Sequence, residues 1–347
     1  MYSHIINAVS LHSRGGLTYL YLLNKYLDKK ENILILDSRV RNKFLQFKKA
    51  KIFFVRNNIV GILKLSFIRF FFGYKEFFSK KVSKTITEIH LNGRPPLFRF
   101  FKPKIYIFFQ NKLLIDSEEY KYKISKNNLK IFLYILINKF LFKLLLNKKD
   151  IIIVQTNTMH KCISNSFSNK IVLQEEIWGN YNYNLMTYLK NNSNLKNNFF
   201  ISKIKELKSK NILFFYPAGN YEHKNHERLI QTFSYLNKKH LKNYKLILTI
   251  KKVDKFSKRN FDFSNIIYLN ELTFKDTLDL YNYIDYLIFP SLSESYGFPL
   301  LEANFNNIKI IASDLDFVYD VCQPYLVFDP YDIKDIYKKI LPILENK

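Results

Sequence analysis

Short runs of β-branched and aromatic residues alternate with longer amphipathic stretches along the whole chain. This alternation is typical of parallel sheets whose strands are joined by crossover helices, so the sequence predicts an α/β protein. The predicted strands of the first half are residues 2–8, 33–36, 51–55, 88–91, 105–109 and 151–154. Those of the second half are residues 212–216, 245–250, 266–269, 286–289, 309–312 and 325–328.

Residues 190–210 separate the two sets of strands and are rich in Asn, Ser and Lys, with little periodicity. This composition favours a boundary between an N-terminal domain, 1–195, and a C-terminal domain, 196–347. Each half has the pattern of a doubly wound, Rossmann-like domain, and such domains bind ligands beyond the carboxyl ends of their strands. We therefore expect the two domains to face each other across a cleft and the functional residues to follow strands.

The overall composition restricts the class of protein. With 347 residues, of which 48% are hydrophobic and 17% aromatic, the chain is neither disordered nor fibrous. Its two cysteines, Cys162 and Cys322, have no zinc-ligand spacing around them and are interpreted as thiols in a reducing cytosol. Residues 1–16 lack the pattern of a signal peptide, and lysines interrupt the most apolar stretch, 131–146. We therefore expect a cytoplasmic protein without a transmembrane helix.

Basic residues are in large excess. The 55 Lys and Arg against 29 Asp and Glu give a net charge of +26, which attracts polyanions such as nucleic acid, anionic lipid or a phosphorylated substrate. A general bias toward Lys and Asn explains the charge equally well. Nucleic acid is not expected as a partner, because the basic residues are spread along the chain and no nucleic-acid-reading motif is recognisable. A basic, non-catalytic module that binds nucleic acid or membrane is the alternative function.

Two apolar segments, 59–72 and 131–146, are interrupted by Lys or Arg. Apolar faces combined with basic residues favour binding at the surface of an anionic membrane. We therefore expect peripheral contact between the N-terminal domain and the inner face of the plasma membrane. The alternative is that both segments are core helices.

The most informative stretch is residues 284–304, IDYLIFPSLSESYGFPLLEAN. A predicted strand ends at Pro290, a polar loop follows, and a helix begins near Pro299, where a missing N–H is tolerated. A loop that enters a helix N-terminus directs backbone N–H groups and the positive end of the helix dipole at one point, which suits a phosphate. Gly297 has no Cβ and therefore allows a ligand to approach the backbone closely.

Two glutamates belong to this stretch, Glu294 in the loop and Glu302 one turn into the helix. Both can face one ligand, so that one reaches sugar hydroxyls while the other holds a ribose diol. The alternative is that Glu302 only favours the helix N-terminal half electrostatically, and that Glu294 is a solvated loop residue.

The stretch resembles the signature of the retaining GT-B glycosyltransferases of family 4, the glycosyl transferases group 1 type. That signature, PSxxExxGxPxxEA, is matched here by Pro290, Ser291, Glu294, Gly297, Pro299, Glu302 and Ala303. The resemblance implies that Glu302 holds the ribose of a nucleotide-sugar donor and that Glu294, taken as catalytic, contacts the transferred sugar. It also implies that the backbone between them takes the diphosphate. The donor-binding residues of this segment are then Ser295, Tyr296, Gly297, Phe298, Pro299 and Leu300.

A second motif, YPAGNYEHKNHERLI, follows the strand at 212–216. In the resembling family an Arg and a Lys at this turn neutralise the donor diphosphate. Lys224 occupies the lysine position and is the second predicted catalytic residue, whereas Gly219 stands where the arginine is usual; Gly219 and Asn225 are assigned to donor binding. His223 and His226 are interpreted as helix-start residues because no carboxylate lies at ligand spacing. No DxD-type motif follows a strand, so we expect neither a metal ion nor a cofactor beyond the nucleotide-sugar co-substrate.

The N-terminal half resembles the family more loosely. Gly15 and Gly16 form a predicted turn before a helix at 17–27, and the resemblance places them beside the donor phosphates. Polar residues that follow other strands look like counterparts in transferases that build bacterial surface polysaccharides. These acceptor-side candidates are Asn92, Gln110, Asn111, Gln155 and Thr156. Ordinary turn and capping roles are equally compatible with each of them.

The combined prediction is a metal-independent hexosyltransferase. It transfers a sugar from a nucleotide-diphosphate sugar to an acceptor hydroxyl with retention of anomeric configuration, in O-antigen or capsule assembly. The expected acceptor is a glycan or a lipid-linked glycan. Phosphorolysis or epimerisation on the same fold is a further alternative.

Overall fold

The computed structural model describes residues 4–12, 14–41, 47–78, 87–112, 129–179, 199–238, 243–252 and 262–345. The chain divides into two compact units, Met1–Leu185 and Met186–Lys347. The predicted boundary at residue 195 lies outside the described residues.

The N-terminal unit contains a seven-stranded parallel sheet with the strand order β3-β2-β1-β4-β5-β6-β7. Its strands are β1 His4–Ala8, β2 Asn32–Asp37, β3 Lys51–Val55, β4 Thr87–His90, β5 Lys104–Phe108, β6 Ile151–Val154 and β7 Lys170–Leu173. Its described helices are α1 Arg14–Leu27, α2 Ile59–Phe78, α3 Leu129–Leu145, α4 Asn157–Ser164 and α5 Gln174–Trp178.

The C-terminal unit contains a six-stranded parallel sheet with the order β10-β9-β8-β11-β12-β13. Its strands are β8 Ile212–Tyr216, β9 Tyr244–Leu248, β10 Ile266–Tyr268, β11 Tyr286–Phe289, β12 Lys309–Ser313 and β13 Leu326–Phe328. Its described helices are α6 Phe199–Lys210, α7 His226–Lys238, α8 Phe274–Tyr281, α9 Phe298–Phe305, α10 Asp316–Tyr319 and α11 Ile333–Glu345.

The twelve predicted strands are all present, each within two residues at either end. The sequence did not predict β7, a four-residue edge strand. The central strands are buried on both faces, as parallel strands covered by helices must be; β2 and β8, for example, are buried at every position. One continuous apolar core fills the C-terminal unit, with Phe214, Phe215 and Phe289 fully buried in it.

In each sheet the chain starts at a central strand, builds outward to one side, and then returns to build the other side. The strands that meet at this reversal are β1 and β4 in the first unit and β8 and β11 in the second. Ligands of doubly wound folds bind beyond the carboxyl ends of these strands. Among the described residues, no helix is both long and apolar enough to cross a membrane.

Candidate functional site

The two motifs of the C-terminal unit leave adjacent strands. β8 and β11 pair in parallel, with Phe214 opposite Tyr286, so both chains emerge at the same edge of the sheet. There the backbone N–H of Leu292 donates a 2.8 Å hydrogen bond to the carbonyl of His223. The Ser291 Oγ lies 3.3 Å from the same carbonyl oxygen. The sheet order therefore joins segments that are about seventy positions apart in the sequence.

At this junction Lys224 and Glu294 form an ion pair between Nζ and Oε1. The two side chains are only 15% and 12% exposed, so the pair is largely removed from water. Ser291 Oγ donates a 2.5 Å hydrogen bond to the same carboxylate oxygen, and Lys224 Nζ lies 5.8 Å from the centroid of the Phe289 ring. Glu294 is thus not a solvated loop residue, and the two predicted catalytic side chains are in direct contact.

The turn that carries Lys224 is fixed by its neighbours. Lys224 ends a short 3₁₀ turn, and its carbonyl accepts a 2.9 Å hydrogen bond from the Tyr216 hydroxyl. Asn225 follows in the left-handed conformation, with φ of 58°, which asparagine tolerates better than most residues. Its side-chain amide donates to the carbonyls of Pro290 and Pro330, at 3.1 and 2.8 Å. Asn225 therefore ties the turn to the loop after β11, and its predicted donor contact stays a prediction.

His226, the first residue of α7, is buried and stabilises the turn at Gly219. Its Nε2 lies 3.1 Å from the Gly219 carbonyl, and its ring packs 4.9 Å from that of Tyr216. Burial lowers the pKa of His226 to about 4, so the ring is neutral at physiological pH and Nε2–H is the donor. In the described part of the chain, no three His, Cys, Asp or Glu side chains cluster as metal ligands. Gly219, where the resembling family has arginine, is thus held as a backbone acceptor.

Glu302 lies on α9 and is only 4% exposed. Its Oε2 accepts a 3.1 Å hydrogen bond from the Tyr281 hydroxyl, which also lies 3.4 Å from the carbonyl of Pro299. Burial raises the pKa of Glu302 to about 7, although the hydrogen bond from Tyr281 opposes this shift. Tyr281 ends α8 and did not appear in the sequence prediction, because only the packing of α8 against α9 brings it here.

The N-terminus of α9 is set by Gly297, the N-cap residue, with φ of 83°. A side chain there would be strained, and its Cβ would lie 3.1 Å from Leu300 Cδ1. The helix begins at Phe298 and has Pro299 in its first turn, in agreement with the sequence prediction. Tyr296 packs edge-on against Phe298 at 5.2 Å, and Leu300 is fully buried in the core. Ser295, like the others, lies at this helix start, and contact between the segment and a diphosphate stays a prediction.

One local prediction for the N-terminal unit is wrong. Gly15 and Gly16 were expected in a turn before a helix at 17–27, but α1 begins at Arg14, so both lie in its first turn. Glycine destabilises a helix mainly in its middle, so the first turn tolerates it. The backbone is also packed closely here, since a Cβ on Gly16 would lie 3.3 Å from Leu11 Cα. The position of both glycines beside the donor phosphates stays a prediction.

The acceptor-side candidates follow β4, β5 and β6, which are neighbours in the sheet, so the fold gathers them at one edge. Two of them have the local roles that were the alternative interpretation. Asn92 Oδ1 accepts from the backbone N–H of Arg94 at 3.3 Å, and Thr156 caps α4 by accepting from Met159 N–H at 3.2 Å. Gln155 is buried and its carbonyl accepts from the Gln174 side chain at 3.3 Å. After β5, Gln110 is partly buried and Asn111 is exposed.

A buried charged network in the same unit was not predicted. Arg69 of α2 pairs with Glu88 of β4 at 2.7 Å, and His90 Nε2 lies 3.2 Å from the same carboxylate oxygen. His90 Nδ1 in turn accepts from Asn7 Nδ2 at 3.3 Å, and all four side chains are at most 2% exposed. Burial by itself raises the pKa of Glu88, but the hydrogen bond from His90 and the charge of Arg69 outweigh it, so the pKa is lowered. Burial lowers the pKa of His90, which is therefore neutral.

Residues 197–347 match the family model described as Glycosyl transferases group 1. The chain therefore carries a group 1 glycosyltransferase domain. This domain, together with the two parallel-sheet units, identifies the chain as an enzyme of the glycosyltransferase class with a GT-B type of fold. No curated protein sequence matches the chain.

Solved glycosyltransferase structures share the fold over the whole chain. HepE of Anabaena, in complex with UDP and glucose, has a TM-score of 0.62 and 11% identity, covering 100% of this chain and 90% of that one. A glycosyltransferase from Rickettsia africae has a TM-score of 0.63 and 15% identity, covering 99% and 88%. WaaG, a glycosyltransferase involved in lipopolysaccharide biosynthesis, has a TM-score of 0.59 and 12% identity, covering 99% and 90%. The predicted fold class is confirmed by these likenesses.

Proposed function

We propose that this glycosyltransferase transfers a sugar from a nucleotide-diphosphate sugar to an acceptor hydroxyl, with retention of anomeric configuration, in the assembly of a bacterial surface polysaccharide. The observation that carries the proposal is the convergence of Lys224, Glu294 and the start of α9 at the β8–β11 reversal. A nucleotide-bearing ligand is supported by the HepE structure, which contains UDP and glucose.

Lys224 is the cation for the donor diphosphate. Its ammonium is largely buried and is positioned through the Tyr216 hydroxyl bond to its carbonyl. A cation in a dry, fixed position stabilises the negative charge that develops on a departing diphosphate without having to reorganise. The N-terminus of α9 adds a second favourable field for the same group, because the positive end of a helix dipole attracts anions. These two elements perform the task that a divalent metal performs in other transferases.

Glu302 is the acceptor for the ribose hydroxyls. Its carboxyl is hydrogen-bonded by Tyr281 and lies on a helix, so it can accept hydrogen bonds from the ribose diol in a fixed geometry. Since the carboxylate form accepts hydrogen bonds from both hydroxyls, binding of the donor favours ionisation of a group whose pKa is raised to about 7. Donor affinity should therefore fall as the pH decreases below about 7.

Glu294 positions the transferred sugar. Its carboxylate is oriented by Lys224 and by Ser291, so its direction is set by two partners. A group that places the anomeric carbon affects turnover more than binding, because a misplacement of about 1 Å costs ~100-fold in rate. The acceptor, a glycan or lipid-linked glycan, is assigned to the polar residues that follow β4, β5 and β6, and the reaction to the cytoplasmic side of the membrane. The polysaccharide role draws support from WaaG and its part in lipopolysaccharide biosynthesis.

The proposal is tested by comparing Glu294→Gln and Glu302→Gln, which keep the size of the side chain while removing its charge. UDP-, GDP- and ADP-sugars are first screened for binding by thermal shift, since a ligand of the folded state raises the melting temperature. We expect Glu302→Gln to weaken donor affinity, and Glu294→Gln to reduce the single-turnover rate by about 100-fold with affinity retained. Product configuration is read by nuclear magnetic resonance, and a chelator should leave the rate unchanged.

The matched control is Glu206→Gln, which changes an exposed glutamate on α6 in the same unit. Its affinity and rate should equal those of the wild type. Normal values in both site variants would refute the assignment of the whole motif, whereas exchanged effects would refute only the division of roles. An inverted product would refute retention alone.

A further inference from the structure

Helix α2 exposes a stripe of large apolar side chains. Its inner face packs on the sheet through Ile68 and Phe72, which belong to a core cluster with Ile5 and Ile33. Its outer face carries exposed apolar residues at helical spacing: Val60, Leu63, Phe67, Phe70, Phe71 and Tyr74. Phe67 is 67% exposed. The outer face of a helix in a soluble domain is normally polar, so this stripe requires an explanation.

Helix α3 repeats the arrangement. Its inner side packs through Phe142, which joins a core cluster with Ile105 and Ile107. Its exposed apolar residues recur at intervals of three and four: Leu133, Leu136, Ile137, Phe140, Leu141 and Leu144. Phe140 is 66% exposed. The interpretation of these two segments as core helices therefore accounts for only one side of each.

Both helices cover the same face of the sheet. The register pairs Ile33 with Ile5, Ile5 with Glu88, and Glu88 with Ile105, so these side chains point to one side. Ile5 and Ile33 contact the cluster of α2, whereas Ile105 contacts the cluster of α3. The two exposed stripes thus lie on the same side of the N-terminal unit.

The loop after β4 connects the stripes. The Phe98 carbonyl accepts a 2.8 Å hydrogen bond from Arg69 of α2, and Arg99 donates a 2.7 Å bond to the Leu145 carbonyl at the end of α3. Leu97 and Phe98 in this loop are themselves more than half exposed. We call the outer sides of α2 and α3, together with Leu97 and Phe98, the α2–α3 face.

Basic residues predominate around this face. Residues 59–78, 92–104 and 129–150 contain 12 Lys and Arg and two acidic residues, Glu76 and Asp150. Two of the cations are paired inside the unit, Arg69 with Glu88 and Arg99 with Asp150. The excess is also unequal between the units: residues 1–185 have 32 basic and 11 acidic residues, a net charge of +21, whereas residues 186–347 have 23 and 18, a net charge of +5. The basic residues are spread along both units, and the difference in net charge comes both from a larger number of basic residues and from a smaller number of acidic residues in the first unit.

We propose that the α2–α3 face docks the enzyme on an anionic lipid bilayer, with the apolar stripes in the headgroup–acyl boundary and the basic residues against lipid phosphates. Interfacial helices combine these two features, since burial of apolar area and attraction to anionic lipid add to each other. A second copy of the chain is the weaker occupant, because pairing two such faces would bring two surfaces with an excess of positive charge together. The docking is independent of sugar transfer and is measured without a donor.

The test is sedimentation of the full chain with vesicles of phosphatidylcholine mixed with phosphatidylglycerol, compared with vesicles of phosphatidylcholine alone. We expect binding to the anionic vesicles, weakened by salt. The double variant Phe67→Ser/Phe140→Ser should bind at least about tenfold more weakly, because each phenyl ring loses its burial in the bilayer. Lys64→Ala and Lys143→Ala should each weaken binding about fivefold at low salt.

The matched control is Tyr235→Ser/Tyr325→Ser, which removes two half-exposed aromatic rings from the C-terminal unit and should leave vesicle binding unchanged. Circular dichroism and thermal shift with the donor verify that each variant folds. Equal binding of the Phe67→Ser/Phe140→Ser variant and the wild type would overturn the proposal. So would absence of binding to anionic vesicles, or a concentration-dependent dimer in light scattering that the double variant abolishes.

Discussion

Replacing Glu302 by glutamine should stabilise the C-terminal unit at alkaline pH while weakening donor binding. The Glu302 carboxyl is buried, and its partner is the neutral hydroxyl of Tyr281. Ionisation in this place is costly because burial removes water from the charge, and it raises the pKa from 4.5 to about 7. Glutamine has the same shape, can still accept from Tyr281, and does not ionise.

The sign of the effect follows from proton binding. Between pH 4.5 and about 7 the folded protein holds a proton on Glu302 that the unfolded chain has released. The contribution of Glu302 to the free energy of unfolding is therefore fully present below pH 4.5 and is lost as the pH rises through about 7. The loss corresponds to about 3 kcal/mol at a pH well above 7. Glu302→Gln escapes this loss, so its advantage over the wild type should grow with pH to about 3 kcal/mol.

The measurement is urea unfolding at several pH values from about 5 to 8, followed by circular dichroism. The single tryptophan, Trp178, is an internal control. Its ring is buried in the N-terminal unit against Tyr19 and Phe108, so its fluorescence follows that unit alone. The fluorescence transition should not change, while the transition of the C-terminal unit shifts to higher urea at high pH. An offset between variant and wild type that is the same at every pH would refute the reasoning.

Two further predictions concern the other charged sites. Lys224→Ala should lower kcat/KM for the donor about 100-fold, because it removes the cation that faces the diphosphate. The control is Lys238→Ala, on the last turn of α7, which should leave kcat/KM unchanged. An unchanged kcat/KM in Lys224→Ala with an intact fold would contradict the assignment. Arg69→Met should destabilise the N-terminal unit by about 3 to 5 kcal/mol, because it leaves the buried Glu88 carboxylate without its cation. Urea unfolding followed by Trp178 fluorescence measures this loss. Adding Glu88→Gln to the Arg69→Met chain should restore part of the lost stability. Full stability of Arg69→Met alone would contradict the role of the pair.

The fold could be predicted from the sequence because its strands are buried on both sides. Such strands stand out as short runs of β-branched and aromatic residues, and their alternation with helices specifies parallel sheets. The strand that the prediction missed, β7, occupies a sheet edge and has only four residues, KIVL, after a polar segment. An edge strand needs less apolar sequence, so its pattern is weaker. The start of α1 at Arg14 was missed because glycines at a helix start look like a turn.

The site could be predicted only where its residues belong to one motif. Glu294, Gly297 and Glu302 lie within nine positions, so the sequence places them on one loop and helix. The contact between Lys224 and Glu294 depends on the adjacency of β8 and β11, which the sheet order supplies. Tyr281 could not be predicted, because its position depends on how α8 packs. The Arg69–Glu88–His90 network left a faint signal: a glutamate and a histidine on one side of an apolar strand, and an arginine within an apolar helix.

Two glutamates in this protein are almost equally buried and have opposite pKa shifts. Glu88 is 2% exposed and its pKa is lowered, since the hydrogen bond from His90 and the charge of Arg69 outweigh its burial. Glu302 is 4% exposed and its pKa is raised, since its partner is a neutral hydroxyl. A buried carboxylate that pairs with a cation stabilises the fold, and removing the cation costs stability. A buried carboxylate without a cation destabilises the fold when it ionises, and its ionised form becomes favourable when a ligand supplies hydroxyl donors. This difference supports the assignment of Glu302 to the ribose of the donor and of Glu88 to the architecture beneath the α2–α3 face.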